Sequence, residues 1–311
     1  MARFSPLMAS LPLLISLMSA TFQAQANNQL PDIGTAGVAA LPIEQEVRYG
    51  NAFMRFARAG LPIIDDPVLS EYIDDLGQRL LTNADGVRFP FTFFLINDPS
   101  INAAAFLGGR VKVHTGLFLY ADNESELASV LAHEITHVTQ RHIARYMEAQ
   151  ASSSAMTLAG LVGSIALAVI NPTAGIAALQ TTLGLSMQSA INYTRDNEYE
   201  ADRIGMKTLY DAGFDPMGMA SFFQKLAAEY RYASKPPEML LTHPLPETRI
   251  SEARARANSY GRRALPPSLD FWLAKVRIQV RYGTESPQAL LTYFDSRLQK
   301  GDYPLKDAAT Y

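Results

Sequence analysis

The sequence predicts an α+β fold that is mainly helical, with a small sheet beside one functional helix. Two segments have the composition of β-strands. FPFTFFLIND, at residues 89–98, is aromatic and β-prone. In GGRVKVHTGL, at residues 108–117, Val111 and Val113 alternate with polar and charged side chains, which predicts a half-exposed strand at a sheet edge. Elsewhere most apolar residues recur with helical spacing.

The N-terminus has the three parts of a secretory signal. Arg3 gives a positive start, an apolar run follows at residues 7–18, and Ala24-Gln25-Ala26 forms a cleavage site of small residues. We therefore predict that residues 1–26 are a signal peptide and that the mature chain is exported. The chain contains no cysteine, which excludes a disulfide framework.

Charge patterning excludes one class of partner and leaves another open. The formal net charge of −3 gives no electrostatic basis for binding nucleic acid. Residues 149–194 contain no charged side chain and are interrupted by Asn171-Pro172. This run predicts a helical hairpin that is either buried or a mobile flap that touches substrate or makes peripheral contact with a membrane. Its arms are too short and too polar to favour a transmembrane pair.

The strongest functional signal lies on a helix that begins after Asn123. Asn123 is a suitable N-cap, and Glu126 follows it at the spacing of a capping box. LAHEITHVTQRH, at residues 131–142, then contains three of the five histidines of the chain. So many histidines are not typical of a helix that only packs in the core, whereas they are typical of a metal site.

His133 and His137 have the spacing of two ligands to one metal ion. Residues four apart lie on the same helix face, one turn apart, so both imidazoles can reach the same ion. Glu134 is offset by about 100° around the helix. It can therefore reach a water at the metal and act as a general base. The H-E-x-x-H pattern predicts a hydrolytic zinc site.

Nearby residues of the same segment do not supply a third ligand. The pattern H-E-x-x-H-x-x-G-x-x-H is excluded because Gln140 and Ile143 occupy its glycine and second-histidine positions. On a continuous helix His142 would point away from His137. We therefore expect His142 to lie at the surface or to make a hydrogen bond.

Carboxylates on a later helix are the other source of a ligand. TRDNEYEADRIG, at residues 194–205, contains Glu198 and Asp202 on one face, while Glu200 points elsewhere. One of the first two can bind zinc while the other holds a ligand histidine. The spacing alone also fits a solvated acidic face. Arg249 and the arginines after it are expected on a solvated helix face.

These motifs resemble a known family. ELASVLAHEITH followed by EYEAD is similar to the H-E-x-x-H and E-x-x-A-D pair of the gluzincin-type endopeptidases that include HtpX and the CAAX prenyl endopeptidases. NAAAFLGGRVKVHTGL, at 102–117, and THPLPETR around His243 also resemble that family. The resemblance covers about residues 40–265. It implies a zincin-like metallopeptidase domain at 27–265, followed at 266–311 by helices that resemble the start of a tetratricopeptide repeat array.

The resemblance also implies roles for individual residues. The ligands of one zinc ion per chain would be His133, His137 and Glu198. Glu134 would be the catalytic base, and Asp202 a helper acid able to donate a proton. His243 would be a regulatory or fourth ligand on a loop.

The implied substrates are unfolded proteins. An extended peptide would pair with the strand that contains Val111 and Val113 through main-chain hydrogen bonds. The resemblance implies a periplasmic protease in outer-membrane protein quality control, with the assembly machinery as a partner. Two rivals remain at this point. One is a chaperone or binding module whose zinc site is latent because His243 closes it. The other is a purely structural zinc site, against which Glu134 argues.

Overall fold

The computed structural model describes residues 37–38, 40–151, 195–231, 236–301 and 306–311. Thr35–Tyr311 forms one compact unit. The predicted signal peptide at 1–26 lies outside the described residues, as does the predicted hairpin within 149–194, apart from its first three residues.

The described part of the chain is mainly helical with one small sheet, as the sequence predicts. Its strands are β1 (Thr92–Ile96), β2 (Ala103–Phe106) and β3 (Arg110–His114). Its helices before residue 152 are α1 (Ile43–Gly60), α2 (Pro67–Leu81), α3 (Thr115–Tyr120), α4 (Glu124–Thr139) and α5 (His142–Ala151). Those after residue 194 are α6 (Arg195–Asp211), α7 (Met217–Tyr230), α8 (Glu238–Thr242), α9 (Glu247–Tyr260), α10 (Leu269–Tyr282), α11 (Pro287–Lys300) and α12 (Lys306–Thr310). None of the helices described is long and apolar enough to cross a membrane.

Strand β3 is the central strand of the sheet, so the prediction that it lies at an edge is wrong. The strand order is β1-β3-β2, with β1 parallel and β2 antiparallel to β3. Gly108 and Gly109, at φ +69° and +72°, form the turn that folds β2 onto β3. Val111 and Val113 are fully buried. Because both edges of β3 are already paired, these two residues cannot offer a main-chain ladder to a substrate peptide.

Helix α4 is the centre of the fold. The predicted cap is confirmed, since Asn123 Oδ1 accepts a hydrogen bond from Glu126 N at 3.1 Å. The side chain of Glu126 accepts from Asp122 N at 2.9 Å instead of from the Asn123 amide, so the capping box is not reciprocal. Every residue from Ser125 to Thr139 is buried. The helix packs against α2, α6, α7 and β2, which holds its histidines inside the protein.

Helix α6 approaches α4 unusually closely at a glycine. A Cβ atom added to Gly205 would lie 3.1 Å from the backbone carbonyl group of Ala132. This spacing brings the acidic residues at the start of α6 against the histidines of α4. The absence of a side chain at 205 is therefore part of how the site is assembled.

Helix α10 belongs to the same core as the helices before it. Phe271 and Ile278 are fully buried in the cluster that contains the core residues of α2 and α4. The predicted boundary at residue 265 is therefore not a break in packing. An ion pair fixes the contact: Arg277 Nε donates to Asp66 Oδ1 at 3.0 Å and Oδ2 at 2.9 Å. Asp66 is also the N-cap of α2, accepting from Val68 N at 3.2 Å.

Replacing Asp66 should weaken the junction between α2 and α10. We expect Asp66→Ala to lower the free energy of unfolding by about 2 kcal/mol, because it removes a helix cap and a charge-assisted hydrogen bond. Denaturant unfolding at pH 7 measures the difference. Asp65→Ala is the matched control because Asp65 is exposed.

The difference between wild type and Asp66→Ala should also depend on pH. Burial raises the pKa of Asp66, but its hydrogen bonds to Arg277 and Leu69 outweigh burial and hold the pKa below its usual value. A lowered folded-state pKa stabilises the protein above the unfolded-state pKa of about 3.9 and loses this effect as the pH falls. Equal unfolding free energies at pH 7, or a difference that grows below pH 4, would contradict this account.

Candidate metal centre

Four side chains from three parts of the chain converge on one point. They are His133 and His137 from α4, Glu198 from α6, and His243, which directly follows α8. Each offers one ligand atom, and these atoms lie within 4.8 Å of one another. All four residues are buried. The structure therefore brings together every residue that the sequence and the resemblance assigned as a ligand.

The distances suit a tetrahedral ion. Bonds of about 2.0–2.1 Å in a tetrahedron separate the ligand atoms by about 3.3 Å. His133 Nε2 lies 2.9 Å from His137 Nε2 and 3.5 Å from Glu198 Oε2. His137 Nε2 lies 3.4 Å from Glu198 Oε1. Two imidazole nitrogens and a carboxylate are a ligand set that zinc accepts.

His243 occupies the fourth corner of this group. Its Nδ1 lies 3.1 Å from Glu198 Oε1 and 3.4 Å from His133 Nε2. The main chain holds the residue in place, because His243 N donates to Met239 O at 2.7 Å and Met239 N donates to Ile101 O at 3.4 Å. The segment with His243 is thus tied to the loop that precedes β2. In this arrangement the group is closed by four protein atoms.

Glu134 lies beside the ligand group and is oriented by the sheet. Its Oε2 accepts a hydrogen bond from Ala105 N in β2 at 2.9 Å. Its Oε1 accepts no hydrogen bond from the described residues and lies 3.4 Å from His243 Nε2. Burial raises the pKa of Glu134, against the opposing charges of His243 and His133. One oxygen is thereby fixed while the other is directed at the site.

Asp202 lies behind His133 and does not face the open side of the ligand group. Its Oδ1 is 3.0 Å from His133 Nδ1, the ring nitrogen opposite the one in the cluster. Burial raises the pKa of Asp202, but hydrogen bonds to Arg249 and His133 outweigh burial and lower the pKa below its usual value. Asp202 is therefore placed to orient the ring of His133, and its role as a proton donor stays a prediction.

Arg249 joins the two carboxylates of α6. Its Nε and Nη2 donate to Asp202 Oδ2 and Oδ1 at 2.7 and 2.8 Å, and its Nη1 lies 2.8 Å from Glu198 Oε2. The residue is buried, so its expected place on a solvated helix face is wrong. Sequence reasoning missed its role, although it lies in the THPLPETR motif. The sequence alone carries no signal for this role, because it does not show that the two carboxylates are buried and therefore need a cation.

His142 is buried and hydrogen-bonded. The prediction that it lies at the surface is therefore wrong, and the alternative prediction that it makes a hydrogen bond is confirmed. Its Nδ1 lies 2.7 Å from His137 Nδ1. The expectation that it points away from His137 assumed a continuous helix, whereas α4 ends at Thr139 and α5 begins at His142. Burial lowers the pKa of His142 to about 4.

The pKa values of three of the ligand side chains are shifted in different directions when no metal is bound. Burial lowers the pKa of His133, but hydrogen bonds to Asp202 and Glu198 outweigh burial and raise the pKa to about 10. Burial and the charge of His133 hold the pKa of His137 well below its usual value. Burial raises the pKa of Glu198, whereas His243 and His133 lower it further than burial raises it. A metal ion that binds here therefore displaces a proton from His133.

A family model identifies the fold to which this centre belongs. The model of peptidase family M48 matches residues 67–257, which contain every ligand described above. This chain belongs to peptidase family M48. The M48 region begins with α2 and ends in α9, so it includes the sheet, α4, α6 and the segment with His243.

Relatives with established names are similar over most of this M48 chain. The beta-barrel assembly-enhancing protease of Yersinia pestis is 51% identical over 286 residues, covering 92% of this chain and 59% of that protein. The protein of the same name from Escherichia coli K12 is 48% identical over 288 residues, covering 93% and 59%. Metalloprotease LoiP of E. coli K12 is 28% identical over 208 residues, covering 63% and 74%. The chain thus spans about three fifths of the length of the two closer relatives.

Removing Arg249 should weaken both the fold and the M48 metal centre. We expect Arg249→Met to lower the free energy of unfolding of the metal-free protein by about 3–5 kcal/mol, because it leaves two buried carboxylates without their cation. Metal affinity should fall as well, since Asp202 would no longer be held against His133. Denaturant unfolding in chelator and metal titration measure the two effects. Arg254→Met, on the exposed face of the same helix, is the control, and equal stability of the two variants would disprove the role.

Proposed function

We propose that this chain is the catalytic part of an exported zinc-dependent endopeptidase that cleaves unfolded or misassembled envelope proteins. One observation carries the proposal: Glu134 is fixed beside a buried group of His133, His137 and Glu198. A structural metal site needs no base at its edge, whereas a hydrolytic one does. Membership of peptidase family M48 supports the same conclusion.

Zinc is the metal that best suits this ligand set. Two imidazoles and one carboxylate leave a fourth position, as in other hydrolytic zinc sites. When bound, zinc supplies a Lewis acid that activates a water and polarises a peptide carbonyl group. The chain itself keeps the site dry and orients the ligands. Asp202 holds His133 with Nε2 towards the metal, and Arg249 holds Asp202 and Glu198.

Glu134 is proposed to move the proton. Its free Oε1 takes the proton of the attacking water and then delivers it to the leaving nitrogen of the cleaved peptide bond. The hydrogen bond from Ala105 N to Oε2 keeps the carboxylate aimed during both transfers. Burial raises the pKa of Glu134, which makes its carboxylate a stronger base than that of an exposed glutamate.

The substrate peptide is proposed to add to strand β2 in place of β3. Among the described residues no strand pairs with the outer edge of β2. This edge faces the site, because the Ala105 amide already donates to Glu134. Main-chain pairing would recognise extended segments with little regard for sequence. Such recognition favours unfolded proteins as substrates.

The position of His243 is compatible with two interpretations, a resting protease and a permanently latent metal site, which an experiment can distinguish. Its Nδ1 stands where a fourth ligand belongs, so the metal would be closed to water in this arrangement. We propose that this is a resting state of the protease and that the segment with His243 must withdraw for catalysis. A chaperone or binding module with a permanently latent site is not favoured, because it would leave Glu134 without a purpose.

Location and partners are proposed from the same resemblance. The relatives are named for enhancing beta-barrel assembly, which supports a role in outer-membrane protein quality control. We propose that residues 1–26 direct the chain to the periplasm, that outer-membrane assembly machinery is a partner, and that the uncharged run at 149–194 makes peripheral contact with the membrane. No nucleic-acid partner is proposed.

Glu134→Gln should abolish proteolysis and leave metal binding intact. Glutamine keeps the size of the side chain and its hydrogen bond to Ala105, but it cannot accept the proton. We expect the rate of casein degradation to fall by about 100-fold or more. Metal content and the degradation rate, with and without chelator, test the proposal. Glu124→Gln on the same helix is the control, and a Glu134→Gln variant with full activity would end this mechanism.

His243→Ala should open the fourth position of the metal. We expect faster hydrolysis of a short peptide at saturating zinc, and the melting temperature of the metal-free protein reports whether the variant is folded. Leu241→Ala, an exposed residue on α8, is the matched control. X-ray absorption spectroscopy would report whether one nitrogen ligand is lost. An unchanged rate with unchanged coordination would refute the closing role of His243.

A further inference from the structure

Within the described part of the chain, the side of His137 that faces away from the metal group has a histidine as its hydrogen-bond partner. It meets a second imidazole, since His137 Nδ1 lies 2.7 Å from His142 Nδ1. His142 is 0% exposed. On its other side, His142 Nε2 lies 3.0 Å from Glu200 Oε2, and Arg145 Nη1 donates to the same oxygen at 2.7 Å. A continuous line of hydrogen bonds thus runs from Arg145 to the proposed ligand.

A strained turn places His142 there. Helix α4 ends at Thr139, and Arg141 has φ +55°, in the left-handed region that most side chains avoid. Buried partners hold this conformation, because the guanidinium group of Arg141 donates to Glu46 Oε1 and to Leu41 O. Backbone strain of this kind persists only where the surroundings impose it. Here the turn brings the ring of His142 against that of His137.

The hydrogen bonds determine where the protons lie. A carboxylate only accepts, so His142 Nε2 must carry the hydrogen that it shares with Glu200. In a neutral His142 ring the Nδ1 atom is then an acceptor, and the hydrogen between the two rings belongs to His137 Nδ1. The Nε2 atom of His137 then keeps its lone pair for the ligand group, where it lies 2.9 Å from His133 Nε2. The same His137 atom lies 3.4 Å from Glu198 Oε1.

The other histidine of the pair is controlled in the same way. His133 Nδ1 meets Asp202, and Arg249 holds Asp202, so His133 also presents Nε2 to the group. Both lines end in a carboxylate of α6 that is fixed by an arginine. The two lines of hydrogen bonds differ in that the imidazole of His142 lies between Glu200 and His137.

We propose that His142 and Glu200 are positioning residues that set the tautomer and the ring orientation of His137 as a metal ligand. This inference rests on the metal site of the proposed function. A purely structural role for His142 would require only that its volume be filled. The two roles differ in their response to a side chain that fills the space but accepts no hydrogen bond.

Zinc affinity of three variants, measured by competition with a chromophoric chelator, tests the inference. His142→Phe fills the space without an acceptor and should weaken zinc binding by about 10- to 100-fold. His142→Asn places an amide oxygen near the position of Nδ1 and should restore most of the affinity. Glu200→Ala, at a partly exposed position, should weaken binding without disturbing the core. The absorption bands of bound Co²⁺ should shift in the first and third variants, because His137 is free to reorient.

His114→Phe is the matched control, since it removes a buried imidazole outside the ligand group. Its zinc affinity should equal that of the wild type, and the melting temperature of each metal-free variant reports whether it is folded. His142→Phe or Glu200→Ala with wild-type affinity would overturn the inference while the proposed function stands. Equal losses in His142→Asn and His142→Phe would also overturn it. Failure of the wild type to bind zinc would instead remove the proposed function itself.

Discussion

The burial of acidic groups between imidazoles and arginine is the constraint on which the rest of the structure depends. Glu198 and Asp202 are both almost inaccessible to water, a state that costs several kcal/mol per charge unless partners compensate. His133 and Arg249 compensate in the metal-free protein, and a divalent ion takes over part of that task when it binds. Helices α4, α6 and α9 are therefore held together by the same groups that form the site.

The local sequence pattern was sufficient to predict the helices and the first two metal ligands. The spacing of His133 and His137 and the cap at Asn123 follow from helix geometry alone, and the structure has both. From spacing alone, the carboxylate partner of His133 could be either Glu198 or Asp202. Periodicity shows that these two residues share a helix face, but it does not show which residues that face contacts. The resemblance supplied Glu198 and His243, which lie far from α4 in the chain.

The errors of sequence reasoning share a physical cause, which is tertiary contact. Alternation in β3 suggested a strand at the edge of the sheet, yet β1 and β2 pair with both of its edges. Arg249 has the sequence context of a solvated arginine, and only the buried acids opposite explain its position. His142 was placed by extending α4 beyond Thr139, but the helix ends there and Arg141 has a left-handed conformation. No single-residue propensity predicts a left-handed arginine.

The close passage of α4 and α6 has a consequence for how this centre tolerates change. A Cβ atom at Gly205 would lie 3.1 Å from the backbone carbonyl group of Ala132, so even one methyl group would act as a small wedge between the two helices. Since Glu198 is carried about two turns earlier on the same rigid rod, such a wedge would tilt the carboxylate away from the imidazoles. The geometry of the ligand group thus depends on a position that has no side chain.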